Sequence, residues 1–178
     1  GLGDVYKRQN FQIRYLITHM NLMKSYGELD RLDDARKELL KLEKCSQGIV
    51  NEMYRYSYLT LKSRLYWNIG EKEYVYEHLD ELIKGGIDDS NAADYIEDVS
   101  DLCGLLKDMQ EFDKWKKVIL AFEQHAKKQN SIYYEMILNE MWLDYYKELG
   151  DNEQYVKLCI HYVDCLLYTS PSPRDRQK

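Results

Sequence analysis

The sequence predicts an all-α fold of four consecutive helix pairs stacked as an α-solenoid, and three observations carry that prediction. Apolar positions recur with a period of 40 residues along residues 10–164. Within each period they follow i, i+4, i+7 spacing, which lays them on one face of a helix. The same 155-residue stretch contains no proline, both prolines (Pro171 and Pro173) lying near the carboxyl end. Because proline removes a helix hydrogen bond and clashes with the preceding turn, its absence favours long uninterrupted helices.

The elements follow in order. A first helix is predicted over 11–29, carrying Leu22 and Tyr26, with a break at Asp30. The second, 32–46, places Ala35, Leu39 and Leu42 on its buried stripe. The third, 49–69, carries Lys62 and Tyr66 in the register of Leu22 and Tyr26, and breaks at Gly70. The fourth, 71–84, repeats the stripe with Val75, Leu79 and Leu82 and ends at Gly85 and Gly86. Asp88, Asp89 or Ser90 can cap the fifth, 90–109, which carries Leu102 and Leu106 and breaks at Gln110. The sixth, 111–128, holds Trp115, Ile119 and Phe122. Asn130 or Ser131 can cap the seventh, 131–149, with Trp142 and Tyr146 and a break at Gly150. The eighth, 151–164, opens on Asp151 and Gln154 in capping-box spacing and carries Tyr155, Cys159 and Tyr162. Gly70 and Gly150 suit a helix end, where a left-handed residue closes the last turn. Short connections make successive helices antiparallel, and each pair has too little core alone, so neighbouring pairs must bury its second face.

The two ends read differently. One choice of codons for residues 1–9 is GGG CTC GGA GAT GTG TAT AAG AGA CAG, and its reverse complement, shifted by one base, encodes CLLYTSPS, the sequence of residues 165–172. This DNA resembles the transposase adapter of sequencing libraries. The expectation is therefore a helical repeat domain over 10–164, a fragment of a longer protein, with 1–9 and 165–178 adapter-derived and outside the fold.

Setting aside the five basic and two acidic residues of those ends moves the net charge from −6 to −9. Basic residues are interleaved with acids throughout, which disfavours nucleic acid, since gripping a phosphate backbone needs clustered Lys and Arg. No apolar run approaches the roughly 20 residues of a membrane span. Cys45, Cys103 and Cys159 remain, an odd number without CxxC spacing, which favours a reducing, cytoplasmic setting over a disulfide framework or zinc site. No phosphate loop, HExxH or GxSxG motif occurs, and His19, His78, His125 and His161 fall on different repeats, so no catalytic residue, cofactor or metal is expected.

The segment LMKSYGELDRLDDARKELLKLE, from Leu22 to Glu43, resembles a tetratricopeptide-like repeat, with Tyr26, a break, Leu32, Ala35, Leu39 and Leu42 in order. Residues 65–83 repeat it more loosely. The resemblance implies a right-handed superhelix of four antiparallel helix pairs that binds a protein or peptide. The period exceeds the family's 34 or so residues, the closing proline is absent, and only Ala35 keeps the small residue of the close-contact column. Long, acidic, Tyr-rich repeats of this kind are also similar to the sensory regions that precede GGDEF diguanylate cyclase domains in bacterial proteins. A sensor or dimerisation module of such an enzyme, or of a peptide-sensing transcriptional regulator, is thus the alternative to a plain interaction scaffold. In stacked pairs the first helix of each pair lines the concave face. Register places Lys24, Arg64 and Asp144 in one column of that face and Trp67, Lys107 and Lys147 in another, with Asn68 beside Trp67.

Overall fold

A computed structural model describes residues 2–45, 52–87 and 96–169. Among these residues every regular element is helical: α1 (Leu2–Glu28), α2 (Leu32–Cys45), α3 (Glu52–Asn68), α4 (Lys72–Gly86), α5 (Ile96–Asp108), α6 (Phe112–Gln129), α7 (Ile132–Leu149) and α8 (Asn152–Thr169). Most boundaries fall within three residues of those read from periodicity. The exceptions are α1, which begins at Leu2 and not at 11, α5, which begins at Ile96 and not at 90, and α8, which continues to Thr169. Residues 2–9 and 165–169 contain no proline, and extending an existing helix costs far less than nucleating one. The expected caps Asp88, Asp89 and Ser90 lie outside the described residues.

The 40-residue period reappears in the backbone of the turns. Asp30, Gly70, Gln110 and Gly150 all take left-handed conformations, with φ of 56°, 86°, 58° and 69°. Each closes the preceding helix with the same two hydrogen bonds. The N–H of Gly70 donates to the carbonyl of Trp67 and that of Glu71 to Tyr66; the other three turns repeat this at Asp30/Arg31, Gln110/Glu111 and Gly150/Asp151. This is the Schellman arrangement, which satisfies carbonyls that the last helical turn would leave unpaired. Asp151 then caps α8, its Oδ1 accepting the N–H of Gln154 at 3.1 Å. Ser131 stands at the cap position of α7 but its hydroxyl makes no capping bond, while Asn130 takes the left-handed end of α6 (φ 46°).

The chain forms two compact units, residues 1–85 with 95–105, and residues 86–94 with 106–178. In the first, Leu16, Met20 and Met23 of α1 lie one helical turn apart and are buried with Leu39, Leu42 and the fully enclosed Ala35 of α2, and with Leu65 of α3. Tyr26, Leu32, Tyr58, Leu61, Tyr66 and Ile69 close over them. The α3 helix buries a second, polar face as well, with Ser57, Thr60 and Ser63 all enclosed. Gly85 of α4 lies under the ring of Tyr56, where a β-carbon would stand 2.4 Å from the ring.

In the second unit α6 supplies Trp115, Val118, Ile119 and Phe122, all buried, and α7 adds Met141 and Tyr145. At the close-contact column, where a small residue lets two helices approach, Trp115 is enclosed by a different device. Its ring meets Tyr145 edge-on at 5.1 Å, an arrangement favoured by the opposite charge of ring edge and face.

Candidate functional site

Two candidate residues of the first unit, Lys24 and Arg64, are brought against α5. Lys24, near the end of α1, reaches Asp101 at 2.9 Å and Glu97 at 3.9 Å. Burial works against its charge, but the hydrogen bond and the field of Asp101 outweigh that, and the Lys24 pKa is raised. Arg64 of α3 lies over Gly104 of α5, its Nη2 standing 2.9 Å from where a β-carbon would be. A side chain at that position would displace the guanidinium. One turn before Asp101 on α5, Asp98 accepts a hydrogen bond from Ser57 of α3. Burial pushes the Asp98 carboxyl up to about 6, with neighbouring Asp101 adding to the rise and Ser57 and Lys24 opposing it. Side chains from α1, α3 and α5 thus meet along one band.

Trp67 and Asn68 sit at the carboxyl end of α3. The Lys72 ammonium stands over the Trp67 ring, 4.4 Å from its centroid, and Tyr76 meets the same ring edge-on at 6.3 Å. Asn68 is exposed beside it. In the second unit Lys107 pairs with Glu148 at 3.0 Å, a hydrogen bond that raises its pKa, with Asp144 contributing to the same field. Lys147 is exposed. Of the basic residues that register alone offers as ligand contacts, Lys24 and Lys107 are therefore engaged, each holding a carboxylate.

One constellation escapes a reading by periodicity. Lys62 occupies an otherwise apolar column, yet its side chain is only 16% exposed. Its ammonium lies 5.0 Å from the ring centre of Tyr74, 5.7 Å from Tyr66 and 5.8 Å from Tyr58, and 2.7 Å from Glu43. Burial lowers its pKa, but the hydrogen bond to Glu43 and the fields of Tyr58, Tyr74 and Glu43 more than compensate, and the net shift is upward. The same burial pushes the Tyr58 hydroxyl up to about 12. The sequence signal was a lysine with tyrosines four residues to either side, Tyr58 and Tyr66, in a column of apolar residues.

No protein-family description, curated protein or solved structure matches the chain. Its function must be read from the residues themselves.

Two further facts bound the chemistry. Among the described residues no group of three or more His, Cys, Asp or Glu side chains could hold a metal ion. Also among them, no helix is long and apolar enough to cross a membrane. The histidines are dispersed over α1, α4, α6 and α8. His19 bonds Glu38, His78 Nδ1 meets the Tyr74 carbonyl at 2.8 Å, His125 is buried beside Phe122 and Tyr134, and His161 stands 3.7 Å from Glu135.

Proposed function

We propose that this chain is a protein- or peptide-interaction scaffold, a tetratricopeptide-like right-handed superhelix of four antiparallel helix pairs that serves as the regulatory region of a larger bacterial protein. The observation that carries the reading is the band in which Lys24 of α1, Ser57 and Arg64 of α3, and Asp98, Asp101 and Gly104 of α5 meet. First helices of successive pairs lying side by side is what the repeat family's concave face requires, and α1 also packs directly on α3. Ion pairs along such a face can be exchanged for those of a ligand. A bound peptide carboxylate would replace Asp101 on Lys24, and a basic side chain would replace Lys24 on Asp101, each at little net cost because the pair is partly solvated.

Selection of a random peptide library on the purified chain tests this. Selected peptides should lose at least about tenfold in affinity on Lys24→Ala and on Trp67→Ala, and be unaffected by Asp80→Ala on the exposed side of α4. Peptides indifferent to the first two substitutions would place the interaction face elsewhere.

A further inference from the structure

The second helix pair carries an aromatic surface site that its neighbours lack. Trp67, in the last turn of α3, is only partly buried, and Tyr76 of α4 is 51% exposed. The two rings meet edge-on, with 6.3 Å between centroids and 74° between planes. The ammonium of Lys72, the first residue of α4, stands over the indole, 4.4 Å from the ring centre. At the register of Trp67 the other pairs hold Gly27, Lys107 and Lys147, and at that of Tyr76 they hold Arg36, Lys116 and Val156. Packing of the repeat therefore does not call for these rings. Large aromatic side chains left partly in water are the residue types that anchor partners at interfaces.

The lysine on the ring shows what chemistry that face suits, and how lightly the lysine is held. Lys62 of α3 also lies over aromatic rings, but Glu43 anchors it at 2.7 Å and its side chain is only 16% exposed. Lys72 is exposed, and no carboxylate among the described residues pairs with it. An exposed cation–π contact of this kind raises the occupancy of a ring only about two- to fivefold. An incoming cation can thus take the place of the ammonium. A guanidinium has the advantage in that exchange, because it is planar, stacks on an indole, and is more weakly hydrated than the ammonium that returns to water. The net charge of −6 favours a cationic partner over an anionic one.

We propose that the face of Trp67 now covered by Lys72 receives an arginine side chain of the bound protein or peptide, Lys72 being a built-in competitor that leaves as the arginine enters. Tyr76 acts as a positioning residue that fixes the plane of the indole. The inference rests on the interaction-scaffold reading and names the chemistry recognised at one of its residues.

The test uses the full chain, isotopically labelled in tryptophan, and follows the three indole N–H signals by NMR, that of Trp67 being assigned by its loss in Trp67→Phe. The probes are N-acetyl-L-argininamide and N-acetyl-L-citrullinamide, which has nearly the same shape without the charge. The arginine probe should shift the Trp67 signal saturably and leave that of the buried Trp115 in place. The citrulline probe should bind at least about threefold more weakly, and Lys72→Ala, at an exposed position, should tighten the arginine probe about two- to fivefold. No shift of the Trp67 signal in Lys72→Ala, an equal response to the citrulline probe, or arginine binding that Lys72→Ala leaves unchanged or weakens overturns the proposal. The two readings fail separately. An inert arginine probe, with selected peptides still dependent on Lys24 and Trp67, overturns the arginine site alone; a probe that binds as expected, with selected peptides indifferent to both residues, leaves the arginine site standing and overturns the interaction face.

Discussion

The four Schellman turns provide a set of equivalent positions at which the cost of one β-carbon can be weighed. Gln110 adopts φ 58°, a conformation in which the β-carbon crowds the following carbonyl, whereas Gly70 and Gly150 occupy the same place in their turns without that penalty. Gln110 is exposed. Replacing it by glycine should therefore relieve local strain and stabilise the second unit by about 1 kcal/mol. For a chain of this size that corresponds to a rise in Tm of about 2–4 °C. The reverse change, Gly150→Gln, falls in the same unit and should cost a similar amount. No atom lies within 4 Å of a β-carbon built at Gly150, so the cost there is conformational and not a clash. Urea denaturation of the two variants and the parent, with the dependence on urea unchanged, isolates the effect from changes in the denatured state. If Gln110→Gly were destabilising, or both substitutions shifted stability in the same direction, the equivalence of the four turns would be refuted.

Three further perturbations test the packing. Gly85→Ala places a methyl group 2.4 Å from the buried Tyr56 ring and should cost about 1–3 kcal/mol by overpacking, read from thermal or urea denaturation; a neutral result would mean the ring has room to shift. Asp98 has a folded pKa of about 6 against an ordinary 3.8, so its contribution to stability is fully present below pH 3.8 and is lost as pH rises through 6, a difference of about 3 kcal/mol at most. Asp98→Asn should consequently stabilise the chain at pH 7.5, leave it unchanged near pH 3.5, and flatten the intervening slope; a gain independent of pH would point to packing alone. A double-mutant cycle on Lys24→Ala and Asp101→Ala should give a coupling of about 0.2–1 kcal/mol that shrinks with added salt, as both side chains are about one-third exposed; zero coupling at low salt would show that the pair does not form in solution.

Much of the local architecture was legible because it depends on neighbours in sequence. The i, i+4, i+7 stripes through Ala35, Val75 and Trp115 are buried as read, and the breaks at Asp30, Gly70, Gln110 and Gly150 are the left-handed residues themselves. Tyr155 and Cys159, in the same register on α8, are only half-buried. Periodicity identifies a helix face but not whether another helix covers it. The candidate site was legible in position and not in state. Register set Lys24 and Arg64 on a common column, but nothing local announces that Asp101 and Gly104, some 40 to 77 residues away, come within reach. Gly104 inside a helical pattern was a faint sign, since glycine there costs about 1 kcal/mol relative to alanine without a packing reason. Lys62 was hidden for the same cause: its three rings and carboxylate arrive from α2, α3 and α4.

The Lys24–Asp101 contact joins α1 to α5, 77 residues apart in sequence. An array in which each repeat touches only the next behaves as a row of dominoes, able to fray one unit at a time from either end. A link that skips a neighbour adds a loop to that row. Loosening α1 then removes a counter-ion from Asp101 and the field of Lys24 from Asp98, so that fraying of the first helix is felt as a change of proton affinity on α5.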